Sequence, residues 1–385
     1  MGTSVEGGAQ TPDTAPHVVV VLGADQDAVA WRQRYARGET LDETPYGYDR
    51  AEPAVRLSWT RAATESPRAR RRRRAIAGRL GFDIVHVWRN RRLIRSADAV
   101  WTHTEREHLA VALLQMLVPR GRRVPVLAQS VWLWDAWPGW GAAHRRLIAK
   151  LLRTHTIEVV HSRVNLDVAR RSVPGRTVEL VPFGSATSAT SSGRGDDLAT
   201  EPFVLAVGND ADRDWRVLAA AAGRMPDARF RIASSSSRAR SIDWPANAIV
   251  RPAATRAELS ELYATASVVV VPLADNRHAS GATACIEALG AGRPLVVTKV
   301  GGVEDYVRGE ARLVDVGDAE SLANALVDAL AGRIDAPSAD AAARRGITQR
   351  DYVNRYLRVT EWMLGLQEWD AAVSEFAPVS SPSVD

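Results

Sequence analysis

The sequence predicts an α/β protein of two Rossmann-like βαβ halves that face each other across a cleft. Short apolar runs of strand length alternate with helical apolar stripes through all 385 residues, the pattern of parallel sheets covered by helices. One low-complexity polar stretch, residues 184–195, breaks the alternation near the middle. The length suits two domains of ordinary size, each able to bury its own core.

Taken in order, residues 1–16 are small and polar, read as a disordered tail without the apolar core of a secretory leader. Residues 18–22 (Val-Val-Val-Val-Leu) predict the first strand, and Gly23-Ala24-Asp25 a tight strand-to-helix turn that is not a dinucleotide fingerprint. Residues 55–59, 84–88, 99–101, 125–129, 157–161 and 178–182 predict further strands. Thr104 and Glu107 have capping-box spacing, which places His103 between a strand end and a helix start, where an α/β site takes its polar groups. A loop histidine also serves commonly as a structural hydrogen-bonder. Residues 132–140 hold four tryptophans, with Pro138-Gly139 marking a loop. Such a loop offers flat faces to a sugar or to a membrane interface, or forms a packed lid.

After the polar stretch, residues 203–207 start a second α/β half with Gly208-Asn209 behind the strand. Thr255 and Glu258 predict a capped helix, Asp318 caps another, and residues 348–364 form a last helix. The most informative segment is residues 267–300. Two apolar strands flank a helix with Ala282, Cys285, Ile286 and Leu289 on one face and Ser280, Thr283 and Glu287 on another. A helix N-terminus beyond a strand end offers unpaired N–H groups to an anion. Ser280, Gly281 and Thr283 would let a phosphate approach, and Glu287 could accept hydrogen bonds from sugar or ribose hydroxyls. The same pattern also fits an ordinary helix with a solvated glutamate.

Composition excludes several classes. The single cysteine, Cys285, lies on the apolar stripe, so neither a disulfide framework nor a zinc cluster is indicated. No apolar run approaches a membrane span. A cytoplasmic location is expected, with peripheral contact at the inner membrane face as an option. Formal charge is +5 and is concentrated in the arginine run at residues 68–74. That run reads as a solvated face or loop, or as an attraction for anionic lipid. No zinc-finger, RRM or KH pattern accompanies it, so nucleic acid is not expected.

The sequence Glu-Ala-x-x-x-Gly-x-Pro from Glu287, followed by a strand and Gly301-Gly302, resembles the donor-binding half of GT-B glycosyltransferases of the retaining GT4 type. The resemblance covers residues 203–316 well and the N-terminal half more loosely. It implies an acceptor-side domain over 17–183, a linker over 184–200, a nucleotide-sugar domain over 201–347, a helix over 348–370 returning to the first domain, and a tail over 371–385. It implies transfer of a hexose from a nucleotide sugar to a glycan, glycolipid or small molecule, with retention, without metal and without a further cofactor. By the same resemblance Glu287 binds ribose, Ser280, Gly281 and Thr283 lie near the diphosphate, and Gly208, Asn209 and Arg213 form the phosphate loop. Ala279 stands where the family often has a second glutamate, so His278 or Ser280 would take over its contact with the donor sugar. Ser130-Val131 replaces a frequent histidine, leaving His103 as the catalytic candidate on the N-terminal side. Arg213 and His278 are the candidates opposite. Gly23, Trp132, Trp134 and Trp137 are expected on the acceptor side. A catalytically inactive binding subunit and a nucleotide-sugar epimerase remain open as alternatives.

Overall fold

The computed structural model describes residues 14–187, 201–338 and 340–382. Most of the expected leading tail, the linker beyond residue 187 and the last three residues lie outside the described residues. The first sheet comprises β1 (His17–Val21), β2 (Arg56–Trp59), β3 (Ala99–Thr102), β4 (Val126–Gln129), β5 (Ile157–Val160) and β6 (Val178–Leu180). The second comprises β7 (Phe203–Val207), β8 (Arg229–Ala233), β9 (Ala248–Val250), β10 (Val268–Val271), β11 (Leu295–Thr298) and β12 (Arg312–Val314). All named pairings are parallel, in the orders β2-β1-β3-β4-β5-β6 and β12-β11-β10-β7-β8-β9. The strand order reverses between β1 and β3 in one sheet and between β7 and β10 in the other. Open parallel sheets leave a crevice at such points, beyond the carboxyl ends of the strands.

The valine-rich strands are buried because helices cover both faces of each sheet. One face of the first sheet is covered from the far end of the chain. The last helix, Gln349–Met363, is capped by Thr348 and Asp351 and sets Tyr352, Val353, Tyr356 and Leu357 against Val18, Val20, Trp101 and Leu127. The helix thus returns to the N-terminal sheet. The segment behind it is tied down as far as residue 382. Arg355 is buried and donates to the carbonyls of Gly346, Glu375 and Ala377 at 2.5, 2.7 and 2.8 Å, and Val373 and Val379 are buried.

Residues 84–88 do not form the expected strand. They lie in the helix Ile84–Arg89, capped by the Asp83 carboxylate, because the neighbours of β1 in the sheet are already β2 and β3. The arginine run is a helix rather than a loop. Pro67–Leu80 starts at Ser66 and stops at left-handed Gly81. Arg68, Arg70, Arg71, Arg72, Arg74 and Arg79 are exposed, whereas Arg73 turns inward to Glu65 (3.0 Å) and Asp83. One arginine of the run is therefore structural. Arg73→Gln should lower the thermal unfolding midpoint by several degrees, while the triple change Arg71, Arg72 and Arg74 to Gln should leave it unchanged, as read by scanning calorimetry.

Candidate functional site

A cavity of about 460 Å³ lies between the two sheets, at the carboxyl ends of their strands. Its volume is that of a small-molecule site. The C-terminal wall is built from two strand ends. Behind β7 the chain turns at Gly208, whose φ of +152° few other residues adopt, and a Cβ there would run into the Arg213 guanidinium. Arg213 is buried, with Nε donating to Val207 O (3.1 Å) and Nη1 to Asp210 Oδ2 (2.8 Å) and Ser280 Oγ (3.2 Å). Asn209 Oδ1 accepts from Ser235 N at 2.7 Å, which ties the loop to the end of β8.

Behind β10 comes the helix Ala282–Gly290. Its N-cap, Gly281, has φ +83° and lies against Val271, where a Cβ would stand 2.6 Å from Cγ1. No side chain caps this helix; Ala282 N donates to Ala279 O at 3.2 Å, and the N–H groups of Thr283 and Ala284, which line the cavity, are left without an intrahelical acceptor. Ser280, Gly281, Ala282, Thr283 and Ala284 line the cavity there. Glu287 lines it as expected and is also held by Arg256, Nη2 to Oε1 at 2.6 Å, with both side chains largely buried. Cys285 is buried and its thiol is pushed up to about 12 by burial, which marks it as structural.

The N-terminal wall comes from β3, β4, β5 and the turn at Pro45–Ala51. His103 lines the cavity, stacked on Tyr46, with Nδ1 3.1 Å from Tyr48 Oη. Burial, with a smaller contribution from His161, holds its imidazole well below the usual range, hence neutral. Tyr46 is the one non-glycine with positive φ among the described residues, at +60°. This strained backbone turns its ring onto the wall. His278 lies across the seam between the halves. Its Nδ1 is 3.2 Å from Asp135 Oδ2 and its Nε2 3.7 Å from Asp212 Oδ2, and Asp135 Oδ1 accepts from Arg277 N at 2.6 Å. The pair Asp210 and Asp212 is thus engaged by Arg213 and His278. Among the described residues no group of three His, Cys, Asp or Glu is placed to hold a metal.

The structure therefore brings His103, Gly208, Asn209, Arg213, His278, Ser280, Gly281, Thr283, Glu287 and Trp132 to one cavity. Trp134 and Trp137 are corrections. They belong to the N-terminal core at 0% and 9% exposure, and Trp134 Nε1 donates to buried Glu158 at 2.8 Å. The segment is a short helix, Leu133–Ala136, followed by a tight turn, which turns the Trp134 and Trp137 rings inward; Trp132 alone of the three stands exposed, at 44%. Gly23 is also displaced. It packs beside Glu107 Oε1 rather than on the cavity wall. Sequence reasoning missed Tyr46, Gln129, Ser130, His161, Asn165 and Arg256 on the wall and Asp135 at the seam. His161 and Gln129 lie at the ends of predicted strands and Ser130 stands where the resemblance expects a histidine, which were the available signals; the others had none.

The four histidines whose values burial lowers furthest set a pH response. Burial lowers His103 and His108 well below the ordinary value of 6.5, His155 to about 3 and His161 to about 4. From pH 6.5 down to about 4 the unfolded chain binds protons that the fold refuses, so stability rises with pH through this window and is lost toward acid. Glu107 opposes this: burial raises its carboxyl from 4.5 to about 7, and its contribution is lost as pH rises between these values. Burial also lowers His86 and raises Asp42, Glu52, Glu105, Asp212 and Glu361, but less far, so the four deeply lowered histidines set the sign against Glu107. Denaturant unfolding should show stability falling steeply below pH 6.5, and His161→Gln should make the slope shallower by about 1.4 kcal/mol per pH unit.

Residues 201–332 match the family described as Glycosyl transferases group 1. No curated protein matches the chain. Among solved structures it is similar to sucrose-phosphate synthase (tll1590) from Thermosynechococcus elongatus, with 18% identity, a TM-score of 0.58, and coverage of 93% of this chain and 96% of that one. It is similar to Alr3699/HepE from Anabaena in complex with UDP and glucose, with 12% identity, a TM-score of 0.58, and coverage of 90% and 99%. It is likewise similar to an alpha,alpha-trehalose-phosphate synthase (UDP-forming) from Burkholderia xenovorans in complex with glucose-6-phosphate, with 14% identity, a TM-score of 0.56, and coverage of 87% and 84%. The likeness is one of fold: the described chain has the two-domain GT-B architecture, and its second half carries the match to the group 1 glycosyl transferases.

Proposed function

We propose that this protein is a glycosyltransferase of the GT4 type, moving a hexosyl group from a nucleotide sugar to an acceptor hydroxyl with retention and without bound metal. The observation that carries the reading is the uncapped N-terminus of the helix Ala282–Gly290, open to the cavity beside Arg213 and Ser280, within the matched region. When the bond between the sugar's anomeric carbon and the diphosphate breaks, the electron pair leaves with the diphosphate. Helix N–H groups, a guanidinium and hydroxyls fixed beforehand would stabilise that developing charge. The acceptor oxygen then bonds to the anomeric carbon and releases its proton. Closure between two walls excludes water, which would otherwise hydrolyse the donor. Ala279 favours a second reading, an inactive binding subunit; release of nucleotide only on addition of an acceptor excludes both that subunit and an epimerase.

UDP is the first probe, since one structural neighbour holds it. Calorimetric titration should show binding to the wild type. Glu287→Gln should weaken it by about 1.5–3 kcal/mol, roughly ten- to a hundredfold. It should also lower the melting temperature of the empty protein, because Arg256 loses its partner. Unchanged affinity would place the donor site elsewhere.

Among the described residues no helix is long and apolar enough to cross a membrane. We read the location as cytoplasmic, with the exposed arginines of Pro67–Leu80 facing anionic lipid. The Arg71, Arg72 and Arg74 to Gln triple variant should then lose association with phosphatidylglycerol vesicles at low salt, measured by sedimentation. Equal association of variant and wild type would refute the contact.

A further inference from the structure

One cavity residue is held by both halves of the molecule. His278 follows β10 in the second half and lines the cavity. Its backbone is fixed within its own half, where Gly302 N donates to His278 O at 3.0 Å. Its ring is fixed by the other half. Asp135, in the helix Leu133–Ala136, places Oδ2 3.2 Å from His278 Nδ1, while its Oδ1 accepts from Arg277 N at 2.6 Å. Trp132, from the same segment, sets its ring 6.3 Å from the imidazole, edge to face. A carboxylate accepts and does not donate, so Nδ1 carries a proton whether or not the ring is charged. The other ring nitrogen, Nε2, has no hydrogen-bond partner among the described residues; Asp212 Oδ2, at 3.7 Å, is beyond hydrogen-bond reach. Unlike His161 Nε2, this atom keeps accessible surface, and the His278 side chain is 7% exposed.

The place of this ring in the cavity narrows what it meets. Ser280 and Arg213 lie beside it on the second half, and Glu287 lies further along the helix Ala282–Gly290. A group passing from that wall to the facing one has to cross the seam, where His278 stands. Ala279 next to it also lines the cavity but offers only a methyl group. An imidazole left free can turn either nitrogen toward a ligand, whereas one tied through Nδ1 can present only Nε2. We propose that Asp135 is a positioning residue for recognition of the transferred sugar: from the first half it fixes the tautomer and direction of the His278 ring in the second, so that Nε2 meets a sugar hydroxyl only while the two halves are together. This deepens the glycosyltransferase reading and rests on it for the word sugar, while the hold of Asp135 on the ring stands on the geometry. A nucleoside diphosphate has no need of the pair; a nucleotide sugar does.

Asp135→Asn tests this with little change of shape. Its one oxygen stays with Arg277 N, which can only donate, and its NH₂ then faces His278 Nδ1, which moves the ring proton to Nε2. Nitrogen NMR of isotope-labelled histidine rings needs no ligand. With His278 assigned as the signal absent from His278→Phe, the wild type at alkaline pH should show the Nδ1–H tautomer and Asp135→Asn the Nε2–H tautomer. Calorimetric titration of UDP, UDP-glucose, UDP-galactose, UDP-N-acetylglucosamine, GDP and GDP-mannose reads the function. Asp135→Asn and His278→Phe should each weaken the nucleotide sugars that bind by about tenfold and leave their nucleoside diphosphate unchanged, and the double variant should lose no more than the worse single one. Ser162→Ala removes a different hydrogen bond of the seam, to Arg277 O, and should keep the wild-type ratio of sugar to diphosphate affinity. Four results would overturn the proposal: an Nε2–H ring in the wild type, equal loss of nucleotide sugar and diphosphate in Asp135→Asn, additive losses in the double variant, or the same selective loss in Ser162→Ala. Failure of every compound to bind the wild type would refute the donor reading alone, since the ring spectra still decide whether Asp135 sets the imidazole.

Discussion

Gln129 Oε1 accepts a hydrogen bond from Tyr352 Oη at 2.6 Å and another from Tyr356 Oη. The amide nitrogen of the same residue donates to His103 O at 2.7 Å, and Tyr48 Oη lies within 3.1 Å of both His103 Nδ1 and Tyr352 Oη. This cluster is buried and sits where β3 and β4 end, directly beneath the cavity. Its two tyrosines from the last helix are more than 200 residues from Gln129 in sequence. The floor of the N-terminal wall is therefore fixed by the C-terminal end of the chain. Buried hydroxyls are costly unless paired, so the helix has one seating in which all of them are satisfied. Trp101 Nε1 to Thr360 Oγ1, at 2.7 Å, extends the same seam one turn further.

The facing wall works differently. Its polarity comes from the backbone: a strand end, a glycine in a conformation closed to other residues, and a helix N-terminus. Side chains serve chiefly to aim it. Arg213 is held on three sides, so its charge is preorganised rather than recruited. Asp135 then fixes the two walls together by accepting from Arg277 N and pairing with His278. Ser162 adds to this seam through its hydrogen bond to Arg277 O at 2.5 Å, while its hydroxyl also caps the helix that carries Asn165.

Arginine and tryptophan show how identical residues take opposite fates. In the helix Pro67–Leu80 the charges of Arg71 and Arg72 stay in water, while Arg73 finds two carboxylates supplied by Glu65 and Asp83. In residues 132–140 a short helix turns Trp134 toward Glu158 and the core and leaves Trp132 at the cavity. Aromatic density in the sequence was a sound sign of an ordered loop and a poor guide to which ring meets a ligand.

Most strands, most helix caps and the cavity wall behind β7 and β10 were legible in the sequence, because these depend on neighbours a few residues apart. Valine runs bury themselves in parallel sheets, Thr104 and Thr348 cap their own helices, and Gly208, Ser280, Gly281 and Glu287 stand in one βαβ unit or at its edge. Residues 84–88 misled because a five-residue apolar run fits a strand or a half-buried helix, and only the occupied sheet decides between them. Tertiary structure alone decided the N-terminal wall. His161 and Asn165 become unpaired acceptors only when Val181 and Val131 take their other atoms, and Arg256 meets Glu287 across 31 positions. Hydrogen-bond pairing of buried groups is settled by the whole fold, and no local pattern records which atoms it leaves over.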